Sequence, residues 1–595
     1  MFVGCVALAT SCDLTENVQV KADKSMIFGS KSGLELYSNS FYKALPTLKN
    51  GFMQDKMCDV GAVSNTDTFI KEGAYNTETA TSWSWGALKN VNYFIDGCND
   101  PKYCTVDDNT RDNYLGIARW FRAWFYYDKL TTYGEVPWFP HDIQSYQNDV
   151  MYKDRDSRDV IIRNLIADLD FAYEHIQATS STGSSTLTRW AAAALKSRVC
   201  LFEAAYRRYH NLTELEITPE ELYREAAKAA KLVIDNSGCS LNTATGKKGA
   251  YRDLFYNETP LTQEVILAVC ANEKSGIFGE QNWWFNARSY GLCWSLVRSF
   301  VHTYLKLDGT PFTDAADYAV KSFTEEMEGR DLRLEQTVRG RNFLWDGKTA
   351  VADIKNLSLT GYQVIKYTLD ESKYDGGAKN INSIPLIRYA EVLLNYAEAQ
   401  AELGVITDSE WALTVGALRK RAGITGGTET LPTTVDSYLQ RTFYPDVTSP
   451  VLLEIRRERA IELVAEGMRF DDLRRWKCGS LMETLPWSGI HIPGLEQPVD
   501  VNGDGVNDYY FTEGEVASAP AAYKNIAVRV NQDGVGLYAE ANAVSGYDLV
   551  YKTGAGDRYW YPDGRQYLYP IPAKVIRDYK NAGYTISQNP EWDNE

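Results

Sequence analysis

Successive segments in the first 240 residues carry apolar side chains at helical spacing, in pairs of roughly 15 to 20 residues joined by short or irregular loops. Two helices of a hairpin cannot bury their apolar faces on each other alone. Hairpins of this kind must therefore stack side by side into a solenoid. In Trp83–Ile95, Leu88, Val91, Phe94 and Ile95 share one face. In Tyr114–Tyr133, the side chains Ile117, Trp120, Phe121, Trp124, Phe125 and Tyr127 lie nearly all round the helix, so it is expected to be buried on two sides. It ends at Tyr133-Gly134-Glu135-Val136-Pro137, where Gly supplies the stop and Pro prevents resumption. Ser157 is placed to cap a helix carrying Val160, Ile161, Leu165, Ile166 and Leu169, Thr188 to cap Ala191–Tyr209, and Pro219 to open a helix running to about Ile234. A later pair, Ile387–Leu403 and about Ser409–Ala422, fits the same unit.

The stretches 240–383 and 485–567 break this pattern. They are rich in Gly, Trp, Asn and Tyr, with few clean periods, and read as long loops, short helices and a few small strands, among them the alternating Asn525–Val530. Segments of that kind, carried on a rigid scaffold, are where binding is expected.

Composition narrows the function. Net charge is −17, from 79 acidic and 62 basic residues, and with no compact basic face this argues against nucleic acid as a partner. With 44% hydrophobic and 24% charged residues, neither bulk disorder nor a polytopic membrane protein fits. Past residue 11 no uncharged apolar run approaches the roughly 20 residues of a spanning helix. The excess is aromatic: 39 Tyr, 21 Phe and 15 Trp. Tyr and Trp join a flat apolar face to a polar edge, which suits binding surfaces and sugar stacking.

At the N-terminus, the apolar run Phe2–Ala9 ends in Ala9-Thr10-Ser11 directly before Cys12. Residues 1–11 are similar to the end of a secretory signal, and small residues followed by Cys resemble a bacterial lipobox, which makes Cys12 the expected lipidation site and a lipid the expected membrane anchor. Eight cysteines remain besides Cys5 and Cys12, without CxxC zinc spacing. Cys98 and Cys104 bracket a loop short enough to close as a disulfide in an oxidising compartment, whereas Cys200 reads as a buried free thiol.

Five segments, in order, together resemble the SusD/RagB family of outer-membrane nutrient-binding lipoproteins. They are Arg119–Asp128 running through Tyr133–Pro137; Ile384–Ala399 (IPLIRYAEVLLNYAEA); Arg456–Leu463 with Glu466–Trp476; Tyr569–Pro572; and Gln588–Trp592. Leu307–Gly309 and Arg330–Leu334 are weaker echoes. The resemblance implies one SusD-like unit over 12–595. Its fold would be mainly α, a superhelical scaffold of tetratricopeptide-like hairpins at about 25–240 and 384–480, with the ligand face on 240–383 and 485–567. It further implies capture of a glycan at the outer-membrane surface and delivery to a SusC-type TonB-dependent transporter, without catalysis and without an organic cofactor.

Residue types outside the family motifs supply the site candidates. Clustered aromatics beside amides and cations are the expected chemistry of sugar recognition, with rings stacking on C–H faces and polar groups bonding hydroxyls. Asn282, Trp283, Trp284, Arg288 and Tyr290 form the densest such cluster; Asp67, Tyr75 and Trp83 precede the first matched helix, and Arg341 and Trp345 share another loop. Asp500, Asn502, Asp504 and Asp508 offer oxygen ligands at positions 1, 3, 5 and 9 of a tight loop, with the Val506 carbonyl adding another, which points to a structural calcium ion. Position 12 is Phe511 instead of Glu, so Glu513 or Glu515 would have to substitute; the alternative is an Asp-Gly hairpin turn.

The charged run Arg456–Trp476 reads as structural, with Arg459–Glu462 and Asp471–Arg474 at ion-pair spacing. The competing functions are a glycoside hydrolase and a helical scaffold binding a protein or peptide. Only five histidines occur (His141, His175, His210, His302, His491), with no HExxH, no nucleophile elbow and no Gly-rich phosphate loop.

Overall fold

The computed structural model describes residues 24–49, 53–144, 146–286 and 293–593. The signal-like segment, Cys12, Arg288 and Tyr290 lie outside the described residues.

The helices stack in the order expected of paired hairpins. Asp108–Tyr133 packs on Arg158–His175, that helix on Arg189–Tyr209, that on Pro219–Asn236, then Tyr389–Glu402, then Pro450–Glu462. Alanine permits the close approach: Ala191, Ala192, Ala193, Ala194, Ala204 and Ala205 are all buried. The expected caps form. Ser157 Oγ accepts from Val160 N and Thr188 Oγ1 from Ala191 N; Thr218, not read as a cap from sequence, adds a reciprocal capping box with Glu221. Gly134 ends the long aromatic helix at φ +75°, a backbone geometry that favours glycine. Thr218→Ala is expected to cost about 1 kcal/mol, read as faster amide exchange in the first turn of Pro219–Asn236.

Three local expectations differ from the structure. The segment read as helix from Ile387 enters instead as strand Ile384–Arg388, paired antiparallel with Val265–Val269; the helix begins at Tyr389. The pairing carries the irregular 240–383 segment back into the scaffold. The Ser409–Ala422 helix is broken in two at Thr414 (φ −107°, ψ −93°), whose hydroxyl donates back to the Glu410 carbonyl. Cys98 and Cys104 are not bonded, since all eight cysteines of the described residues are free thiols. Their loop is closed by backbone hydrogen bonds from Tyr103 N and Cys104 N to Asp100 O, and Cys98 is buried in the core. Cys200 is buried, as read.

Two three-stranded sheets occupy the last quarter. Leu537–Ala541, Tyr547–Tyr551 and Ser488–Ile492 form an antiparallel one. In the other, Ala527–Arg529 runs parallel to Tyr509–Thr512, which pairs antiparallel with Pro498–Val499.

The charged run Arg456–Trp476 is largely buried and paired, partly within itself and partly with other segments. Arg474 holds Asp471 at 2.5 Å as its spacing predicts, but Arg459 does not pair with Glu462. It reaches Asp472 at 2.8 Å and donates to Asn395 Oδ1, because Glu462 turns into a separate network with Arg388 (2.6 Å), Arg333 (2.8 Å) and Arg421. Arg388 also binds Glu466 and Glu264, so one guanidinium joins the strand end, the Pro450–Glu462 helix and the turn after it.

Candidate functional site

A cavity of about 810 Å³ opens between three segments far apart in sequence, 78–92, 139–152 and 572–579. Its aromatic wall starts just before helix Gly86–Cys98. Trp85 occupies the N-cap position with φ −120° and ψ 3°, and the preceding irregular chain, where Trp83 N donates to Thr81 O, sets Trp83 beside it, ring centroids 5.3 Å apart at 73°. Trp83 leans edge-on against Tyr133 at 4.9 Å, and Trp85 against Phe139 at 5.2 Å; both indoles pack against the core and remain partly exposed. Opposite them Tyr152 meets Tyr579 edge-on at 5.1 Å.

Polar or charged groups also line it: Glu78, Thr81, Lys89, Asn92, His141, Lys574, Arg577 and Asp578. The buried amide of Asn92 donates to Phe139 O (2.8 Å) and His141 O (3.1 Å), fastening the second wall to the first helix. Arg577, from helix Ala573–Asn581, meets Glu78 across the cavity at 2.5 Å, and the same hydrogen bond holds the Glu78 carboxyl below its ordinary range. Asp578 is held by Lys574 at 2.6 Å. Lys89, one turn beyond Trp85, is exposed at the rim. Apolar walls with polar groups set among them, at this volume, suit a small-ligand site.

Of the residues singled out from sequence, Trp83 is the one that lines this cavity. Asp67 caps the turn Thr68–Ile70 through Phe69 N (3.0 Å) and pairs with Lys56, which makes it a framework residue. Tyr75 is wedged edge-on among Phe69, Tyr569 and Trp592; burial, and then the Asp67 charge, push its phenol up to about 12. Asn282 is fully buried and committed. Its amide donates to Leu369 O and Asp375 and accepts from Leu369 N and Asn380, so it pins the 369–380 loop and has no atom to spare for a sugar.

Trp284 packs against the core with its Nε1 shielded from water and lacking a hydrogen-bond partner, whereas Trp283 is half-exposed beside Gly377. Arg341 is half-buried near Glu335. Trp345 sits in a two-residue hairpin whose turn, Asp346-Gly347, has positive φ at both positions (49° and 74°), and the Arg339 guanidinium lies 5.1 Å from its ring. These candidates therefore fall in two places, one packed around Tyr133, Tyr569 and Trp592, the other around Arg339, Phe343 and the 369–380 loop. Trp85, Lys89, Phe139, Tyr152, Arg577 and Tyr579 were not foreseen. Trp85 had a signal, standing two residues from Trp83 in Trp-Ser-Trp; the C-terminal helix had none.

The 500–508 loop forms a tight turn whose side-chain oxygens are occupied by its own backbone. Asp500 accepts from Gly503 N (2.7 Å) and Gly505 N (2.8 Å), Asn502 from Asp504 N (3.1 Å), Asp504 from Val506 N (2.8 Å) and Asp508 from Val501 N (2.8 Å). Burial, and then the charges of Asp500 and Asp504, raise the Asp508 carboxyl. Among the described residues no group of three or more His, Cys, Asp or Glu is arranged to hold a metal ion. Glu513 and Glu515 turn elsewhere, to Asn531 (2.7 Å) and Arg529 (3.2 Å).

A family model described as the SusD family matches residues 263–592, more than half of the chain. The chain belongs to the SusD family. A curated relative, SusD-like protein P38 of Formosa agariphila, is 25% identical over 378 residues, covering 61% of this chain and 66% of that protein, just under two thirds of its length. Among solved structures, a SusD-like carbohydrate-binding protein from Bacteroides fragilis aligns with TM-score 0.66 at 18% identity, over 94% of this chain and 99% of that one. A second SusD-like protein of that organism gives 0.65 at 20% identity (96% and 98% covered), and a SusD homolog from Bacteroides thetaiotaomicron 0.62 at 16% (96% and 99%). These likenesses show the SusD fold, and they extend over the Gly86–Asn236 helices that precede the family match. The mainly helical reading of the sequence agrees with them.

Proposed function

We propose that this SusD-family chain is a cell-surface glycan-binding lipoprotein, anchored through Cys12, that captures an oligo- or polysaccharide and passes it to a SusC-type TonB-dependent outer-membrane transporter without altering it. The observation that carries the reading is the cavity lined by Trp83 and Trp85 side by side, each packed on neighbouring rings and partly exposed. Indole faces so held can stack on pyranose C–H faces while Lys89, Arg577 and Glu78 supply directional hydrogen bonds. The half-exposed Trp283 and Trp345 would extend contact with a longer chain. No helix among the described residues is long and apolar enough to cross a membrane, which agrees with attachment by lipid.

Affinity electrophoresis through gels containing a panel of polysaccharides tests the reading. Retardation by at least one glycan, with no new reducing ends, is expected. Reducing-end release that persists through re-purification and vanishes on Glu78→Gln would replace binder by hydrolase, and indifference to every glycan would defeat the proposal.

The calcium expectation for Asp500, Asn502, Asp504, Val506 and Asp508 remains a separate proposal, supported by the two carboxylates, Asp500 and Asp504, whose charges crowd Asp508. Adding calcium to chelator-treated protein is expected to raise the thermal midpoint by a few degrees, and Asp500→Ala with Asp504→Ala to abolish the rise. An unchanged midpoint would show the loop to be an ordinary turn.

A further inference from the structure

A second cavity, of about 360 Å³, shares no lining residue with the first. It lies between the 354–359 loop and the strands Ala527–Arg529 and Leu537–Ala541, with Tyr551 at its side. Ile354, Leu359, Val528, Leu537 and Tyr551 give it an apolar wall; Ile354, Val528 and Leu537 are buried and belong to the framework. Its charged lining residues are Lys355 and Arg529, contributed by two different walls, and no lining residue is acidic. In a chain of net charge −17, two cations lining one largely apolar cavity with no lining carboxylate run against the average surface.

Arg529 supplies the more pointed observation. Its Nε is shielded from water and makes no hydrogen bond, a donor whose desolvation is uncompensated. Its Nη2 meets Gln532 Oε1 at 3.4 Å and Glu515 at 3.2 Å, but the Glu515 side chain is 69% exposed, and such a surface pair is weak enough to give way to a better-placed anion. Lys355 is exposed at the opposite rim and donates to the Asn525 carbonyl at 2.5 Å. A planar carboxylate can accept from a guanidinium edge and an ammonium together, while a ring of one-sugar size rests against Tyr551 and Leu537.

We infer that this cavity is a second ligand site, selective for a sugar residue bearing a carboxylate, with Arg529 and Lys355 holding the acid group and Tyr551 the ring. The inference goes beyond the glycan-capture reading, since it assigns a different cavity and a charge requirement.

The test uses the whole protein and two probes, methyl β-glucuronoside and methyl β-glucoside, followed by calorimetry and ligand-observed NMR. The glucuronoside is expected to bind at least tenfold more tightly than the glucoside. Arg529→Gln is expected to weaken it tenfold or more, Lys355→Gln several-fold, and added salt to weaken it further. Trp83→Ala, which removes a wall of the other cavity, is expected to leave this binding unchanged. Equal affinity for the two probes, no binding by folded protein, or full affinity in both charge variants would overturn the inference. Retention on a neutral glycan with loss of the uronide site would sink this inference alone. Uronide binding abolished by Trp83→Ala would place the acid in the first cavity and overturn it as well.

Discussion

Glu462→Ala is expected to lower the stability of the protein by about 3–5 kcal/mol, the usual consequence of removing one partner from a buried ionic cluster. The carboxylate is fully buried and receives Arg388 at 2.6 Å, Arg333 at 2.8 Å and Arg421. Alanine would leave three guanidinium groups facing one another in a medium that cannot solvate them, with Glu264, Glu458 and Glu466 to share among them. Glu462→Gln keeps the shape and an acceptor but not the charge, and should fall between. Urea midpoints of the two variants decide; an alanine variant as stable as the wild type would mean the cluster contributes nothing net. The same site gives a pH dependence. Burial alone would raise the Glu462 carboxyl, but Arg421, Arg388 and Arg333 overcome it and hold the group well below its ordinary range. A depressed folded value means stabilisation present above the ordinary carboxylate range and lost only as pH falls through that lower value. Asp55 has the opposite sign: burial pushes it up to about 7, against a hydrogen bond from Gly467 N, so its contribution is full in acid and is lost as pH rises through that value. The Asp55 decline therefore runs from the ordinary carboxylate range up to about pH 7 and levels off above it, and Asp55→Asn is expected to remove that decline from a series of urea midpoints against pH.

Trp83→Ala should weaken whichever glycan the protein retains by ten- to a hundredfold, equivalent to about 1.4–2.7 kcal/mol, within the range of a buried aromatic anchor. Trp83→Tyr should recover part of the affinity, because a phenol preserves a flat face and the edge contact with Tyr133. Circular dichroism separates lost binding from lost fold. Trp284→Ala, which removes a partly buried ring whose Nε1 is shielded from water, should instead lower stability and leave affinity near wild type. If Trp284 and not Trp83 governed retention, the ligand face would have to be moved to the 283–345 region.

The helices were legible because their signals are local. The all-round aromatic pattern of the 114–133 segment, the Ser157 and Thr188 caps and the Gly134 stop depend on neighbours within one or two turns, and each formed where it was read. Ile387 and Thr414 show where locality ends. The first was claimed by a strand 120 residues away, and the second by its own hydroxyl bonding back to the helix carbonyl. Asp67 and Asn282 looked like sugar ligands by residue type, yet the chain spent both on itself, one as a cap and the other as a loop pin.

The amino-acid order by itself determined that hairpins of helices must stack, where most of them start and stop, and that flat rings abound beside amides, since spacing and side-chain chemistry are properties of short stretches. Only the tertiary structure decided which rings face outward. Whether an indole becomes core or contact surface depends on what covers its second face, and for Trp83 and Trp85 that cover includes Tyr133 and Phe139, while the cavity before them is closed by residues 572–579, almost five hundred positions along the chain.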